Sequence, residues 1–184
     1  MSSLEGQLLI AMPGMTDPNF NETVTYICKH DENGAIGIIV NRPSDMSLGE
    51  VCRQLKFEVN LGDDDDQPIM NGGPVQPDRG FVLHLSGDGF DSTVDPDAAI
   101  KVTVSQDILQ AIARGDGPTP AMVALGYAGW GSGQLESEIA ANAWLSVPTE
   151  PSIIFDTPIE QRWRAAAGLI GIDITQVTNY AGHA

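Results

Sequence analysis

A chain of 184 residues with 42% hydrophobic and 18% charged side chains has the composition of one globular domain, too short for two ordinary ones. Its 9 Lys plus Arg stand against 25 Asp plus Glu, a net charge of −16, and the basic residues are scattered, so the cation clusters that hold nucleic acid or anionic lipid are missing. Cys28 and Cys52 form no Cys-x-x-Cys, and the first apolar run has no basic flank; free thiols, no secretory leader and a cytoplasmic location are the expectations.

In chain order, Leu8 to Ala11 predicts a first strand. Thr23 to Lys29 and Ala35 to Asn41 predict two more, joined through His30 to Gly34, where Asn33-Gly34 is a strong hairpin signal. Ser47 with Glu50 three residues on is a capping box, and Leu48, Val51, Cys52 and Leu55 supply the apolar face of the helix it opens. Asp63 to Asp66 is a solvated acidic loop that lacks the calcium-loop pattern. Further strands are expected at Pro68 to Asn71, Gly80 to Leu85, Ile100 to Val104, Met122 to Ala128 and Ser152 to Phe155. Ser105 caps a helix that stops near Gly115, Ser132 or Gly133 opens another, and Thr157-Pro158 with Glu160 predicts a further capping box ahead of Trp163. The hairpin requires some antiparallel pairing, and strands and helices do not alternate strictly. The expected class is therefore α+β, a single domain over residues 1–184 with a mixed sheet and flanking helices.

The segment Gly126 to Ile139 has the order strand, glycine-rich loop, helix amino terminus, a layout that can cradle an anion. Gly129, Gly131 and Gly133 miss the dinucleotide pattern because Gln134 stands where the last glycine belongs, and no lysine follows to make a phosphate loop. The preferred alternative is that glycine lets Trp130 and the backbone pack closely. Gly72, Gly73 and Pro74 form a sharp turn with exposed N–H groups, and Asn41, Arg42 and Pro43 end a strand, where Arg42 can take a carboxylate or pair with a surface acid. His30, His84 and His183 share no metal-ligand spacing, so no metal and no cofactor are expected. Ser86 has no nucleophile-elbow context.

Five strings in order, LLIAMPGMTDPNF, GAIGIIVNRP, NGGPVQPDRGFVLH, LGYAGWGSGQLESEI with NAWL, and IFDTPIEQRW, resemble the YqgE/AlgH family of small bacterial proteins, with the match running from Leu8 to Gly182, His183 and Ala184. The resemblance implies a compact α+β fold whose mixed sheet rolls partly into a barrel-like shape. It brings a transcriptional-regulator label and no catalytic residue. Asn41, Arg42, Gly72, Gly73, Pro74, His84, Gly129, Trp130, Gly131, Gln134 and Glu136 are the candidates for a ligand- or partner-binding surface.

Three functions compete. The first is a binding or regulatory protein that recognises a protein partner or a small-molecule ligand, without direct contact to nucleic acid or membrane. The second is an enzyme of unassigned class with its site near the Gly129–Glu136 loop and the Gly72–Pro74 turn, two segments expected to lie close in space. The third is a direct DNA-binding regulator, for which the sequence offers neither a basic face nor a helix-turn-helix.

Overall fold

A computed structural model describes residues 3–85, 90, 93–94, 96 and 99–173; Ser86, His183 and the closing Gly182 and Ala184 lie outside them. The elements are β1 (Gln7–Ala11), β2 (Val24–Asp31), β3 (Gly34–Ile39), β4 (Pro43–Ser47), α1 (Leu48–Gln54), β5 (Pro68–Asn71), β6 (Val75–His84), β7 (Thr93–Val94), β8 (Lys101–Thr103), α2 (Gln106–Arg114), β9 (Ala121–Trp130), α3 (Gln134–Ala140), β10 (Trp144–Pro148), α4 (Pro151–Phe155) and α5 (Arg162–Gly168).

The sheet runs β10-β1-β2-β3-β9-β6-β8-β7 with antiparallel neighbours throughout. One parallel pair makes it mixed: β5 lies along β9 with Met70 opposite Ala124, and β4 flanks β5. The sheet stays open, since its outer strands β10 and β7 do not meet among the described residues. The α+β class is as expected, with curvature that stops short of a closed barrel.

Both sheet faces are covered, which is why β1 reads Leu-Leu-Ile-Ala without alternation and is buried along all four residues. Leu8 and Ile10 join Tyr26, Ile38, Ile153, Ile154 and Trp163 under α4 and α5. Leu9 and Ala11 face the other way, toward Trp130, Leu135 and Trp144 beneath α3. A third cluster joins α1 and α2 to Val82 and Val123.

Strand β9 serves all three clusters because it changes face midway. Met122 and Ala124 point to the α4–α5 side, yet Ala128 and Trp130, of the same parity, point to the α3 side. The switch falls at Gly126, whose φ of +81° only glycine adopts cheaply. Opposite it, β6 carries extra residues between Val75, paired with Tyr127, and Gly80, paired with Leu125, a bulge that throws Gln76 to Arg79 outward.

The capping box on α1 forms as expected, with Ser47 and Glu50 bonding reciprocally. Gly115 ends α2 in a left-handed conformation, and Gly133 precedes α3. Two expectations need correction, and one strand was not anticipated. Ser152–Phe155 is the helix α4, not a strand: Pro151 sets the first helical φ, Ile153 and Ile154 are both buried, and so short an apolar run carries no period to distinguish the two. Thr157 does not cap; its hydroxyl turns back to donate to Ser152 O, and a short 3-10 turn, Ile159–Gln161, intervenes before α5. The segment Trp144–Pro148 is the strand β10, paired with β1. Cys28 and Cys52 are both free thiols. Among the described residues no helix is long and apolar enough to cross a membrane.

Candidate functional site

The candidate residues fall at two ends of the sheet. At one end, Trp130 closes β9 and is 6% exposed. Its indole donates to Glu138 Oε1 at 3.1 Å, and the same oxygen accepts from the Trp144 indole at 2.9 Å. Gln134 donates to the other Glu138 oxygen (2.8 Å) and accepts from Gly131 N–H (2.9 Å). Phe20 packs on both tryptophans, edge-on to Trp144 at 5.7 Å between ring centres. One carboxylate thus fixes two indoles and the helix amino end.

Glu136 on the same helix pairs with His30 Nε2. The other ring nitrogen of His30, Nδ1, accepts from Leu4 N–H at 2.9 Å, so the proton sits on Nε2 and is donated to Glu136. Ser132 donates to Glu32 O, which ties the glycine loop to the tip of the β2–β3 hairpin. Trp130, Gln134, Glu136 and the Gly131 amide are therefore all engaged within the fold.

At the other end, segments far apart in sequence converge. Asn19, Ile39, Arg42, Asn71, Gly73 and Pro74 line a recess of about 150 Å3, with Pro77 of the bulge at its edge. The turn is pressed into β9: Gly72 N–H donates to Leu125 O, Ile39 N–H donates to Gly72 O, and a methyl on Gly73 would land inside the Tyr127 backbone. Arg42 donates to Pro18 O (3.1 Å), Asn21 O (2.6 Å) and Asn21 Oδ1 (3.0 Å). That leaves Nε–H and one Nη1–H without a protein partner, and no carboxylate pairs with it among the described residues.

The remaining candidates lie apart from this recess. Asn41 is structural, accepting from Val24 N–H and donating to Glu22 O. His84 is fully buried, with Nε2 at 2.8 Å from Thr103 Oγ1 and its ring edge-on to Phe90. Gly129 approaches Val75, beside the turn. The glycine loop proper begins four residues beyond Tyr127, about 13 Å along an extended strand at roughly 3.3 Å per residue. The Gly72–Pro74 turn thus packs on the strand that leads into the loop, and only the near end of the loop segment approaches the turn. No three His, Cys, Asp or Glu side chains gather among the described residues in a way that could hold a metal.

Sequence reasoning passed over Arg162. It stands on the apolar stripe of the half-buried Ile159 and the buried Trp163, Ala166 and Ala167, and a cation within an apolar stripe is the signal that could have exposed it. Burial holds its guanidinium below the usual arginine value, with the charge of Glu160 working the other way.

The chain is thus a single α+β domain with a mixed, open sheet, its glycine motif bonded within the fold and a small recess beside Arg42. The chain belongs to the AlgH-like family, DUF179, whose model matches residues 8–175. It is 50% identical over 181 residues to a UPF0301 protein of Xanthomonas campestris, covering 98% of this chain and 96% of that one. A UPF0301 protein of Stenotrophomonas maltophilia is 48% identical over 182 residues, 99% and 97% of the two chains. The solution structure of AlgH from Pseudomonas aeruginosa superposes with a TM-score of 0.80 at 48% identity, over 97% and 96% of the chains. Protein DIP2367 of Corynebacterium diphtheriae shares the fold at 19% identity, with a TM-score of 0.77 over 97% and 93%.

Proposed function

We propose that this protein is a non-catalytic binding module, that a protein partner docks at the Arg42 recess by inserting a carboxylate, and that any regulatory role is exerted through that partner. The observation that carries this reading is Arg42 itself: in a chain of net charge −16, it lines a recess with no acid in its lining and retains free donors among the described residues. A recess of 150 Å3 has room for about five waters at roughly 30 Å3 each, enough for a carboxylate and too small for a whole drug-sized ligand. The rest of the ligand must remain outside, which favours a side chain or chain terminus presented by a larger molecule. Planar bidentate pairing with carboxylate is the chemistry arginine performs best. Direct DNA contact is disfavoured by the charge, and a gel shift at low salt should show no retention of duplex.

A photo-crosslinking residue placed at Asn19 should trap one discrete protein in cells. Arg42→Met should abolish the adduct and Arg42→Lys should retain part of it. An adduct indifferent to Arg42→Met, or no adduct at all, would overturn the assignment.

A further inference from the structure

Arg162 is another cation that pairs with no carboxylate among the described residues, and unlike Arg42 it is buried. It is 8% exposed, at the first residue of α5. Its Nε donates to Thr157 O at 2.9 Å and its Nη1 donates to Val40 O, while Met122 Sδ lies 4.0 Å away. Nη2 has no hydrogen-bond partner, and no carboxylate pairs with the group, among the described residues. A buried guanidinium lacking an anion costs far more than an apolar residue of the same volume, and the amino end of a helix adds to that cost. Burial accordingly holds the group below the ordinary arginine value, and the exposed Glu160 offsets this only in part.

Arg162 lines a cavity of about 120 Å3 whose wall contains no acid among the described residues. Gln67, Pro120, Ala121 and Phe155 of that wall also line a neighbouring cavity of about 440 Å3, within the size range of small-molecule sites. The larger cavity is walled by Ile112, Pro118, Pro120, Val123 and Phe155, with Asp64 in its lining. Gln67 stands where the two meet, its amide already donating one hydrogen to Ala121 O at 3.3 Å and retaining a second.

We propose that these adjoining cavities bind a small monocarboxylic acid, its carboxylate held by Arg162 and its apolar body lying between Ile112, Val123 and Phe155. The anion supplies the missing counter-charge and accepts from Nη2. Asp64 in the larger cavity selects against a second carboxylate at the distal end. The proposal is independent of the Arg42 recess, because Arg42 lines neither cavity.

The test is an NMR titration of the 15N-labelled full chain with phenylacetate, taken to about 20 mM because so small a ligand binds weakly. Phenylacetate should shift the Arg162 side-chain Nε–H and the amides of Gln67, Ala121 and Phe155 saturably, while neutral phenylacetamide at the same concentration should not. Arg162→Met should weaken binding by about ten- to a hundredfold, the value of a buried charge-assisted contact. Ala121→Leu, which fills the junction and leaves Arg162 in place, guards against misfolding of the first variant and should also remove the response. No saturable shift, equal binding of the amide, or retained binding in a folded Ala121→Leu variant would overturn the assignment.

Discussion

The tryptophan end and the arginine end of this sheet carry equally distinctive sequence, and they differ in what their polar groups have left to give. At the tryptophan end Glu138 bonds two indoles and Gln134, Gln134 caps Gly131, and Glu136 holds His30. At the arginine end Arg42 and Arg162 each keep N–H groups without a partner among the described residues. A glycine-rich motif therefore turned out to be a lock, while two isolated arginines carry the unspent chemistry. Motif density here marks structural constraint, and leftover hydrogen-bonding capacity is what the two proposed sites rest on.

The contrast breaks first at the glycines. Gly73, in the recess, has φ +153° and no room for a methyl against the Tyr127 backbone, so Gly73→Ala should cost about 3 kcal/mol or more. A methyl added at Gly131, in the motif loop, would meet nothing closer than Gln134 Oε1 at 3.8 Å, so Gly131→Ala should stay within about 0.5 kcal/mol. Urea melts of the two variants decide it, and a reversed order would mean the loop, not the turn, is the constrained element.

The lock is tested next. Glu138→Ala leaves two buried indole N–H groups unpaired and should destabilise by about 2–3 kcal/mol, with Glu138→Gln intermediate because an acceptor remains. Arg162→Met deletes a buried charge with no counter-ion and should stay within about 1 kcal/mol of the parent. If Arg162→Met proves as damaging as Glu138→Ala, that arginine is scaffold and the two ends are alike.

Much of the fold was legible because its signals are local. The Ser47–Glu50 box, the Asn33-Gly34 turn and the stop at Gly115 each depend on residues within one turn of chain. The missed parts are set by partners far away. Ile153 and Ile154 have no period of their own, and α4 packs them against β9 and α5, which are distant partners or follow later in the chain. The face change at Gly126 needs β6 opposite it, and β10 needs β1. The candidate residues followed the same division: Arg42 and the Gly72–Pro74 turn could be flagged individually, but their meeting with Asn19 is a product of the sheet order. Arg162 stood out in the letters only as a cation within an apolar stripe; that it lacks a partner among the described residues is visible only in the fold.

The thiols give a pH handle. Burial, with Glu5 adding to it, pushes Cys28 up to about 12, and burial also raises Cys52. A thiol whose pKa is higher folded than unfolded binds its proton more tightly in the native state, so stability is lost as pH rises from about 9 toward 12. Iodoacetamide at pH 9 should label Cys28, which is half-buried, and Cys52, which is buried, far more slowly in the folded protein than in urea. Native labelling of Cys28 as fast as in urea would mean that its thiol is not held in the protonated form.

The smallest effect should come from salt, and it separates the two arginines. Exposed contacts such as Lys29–Asp31 and Arg114–Asp116, both at 3.8 Å, offset little charge, and with 25 acids against 9 Lys plus Arg most of the charge of −16 is left to repel itself. Raising ionic strength from about 0.01 to 0.15 M shortens the Debye length from roughly 30 to 8 Å and should lift the Tm by a few degrees. Glu138→Ala should show the same increment, because the network it breaks is internal. A flat Tm would mean that the acids are already dispersed beyond mutual reach. Carboxylate binding should respond differently at the two sites. Arg42 is partly open to solvent, so salt screens an incoming anion and weakens its docking. Arg162 is buried, and screening reaches it far less. A titration at both salt levels should therefore leave phenylacetate shifts near Arg162 almost unchanged while any contact at Arg42 fades. Equal loss at both would place Arg162 in contact with bulk water, and the distinction between a surface anchor and an interior ligand site would fall.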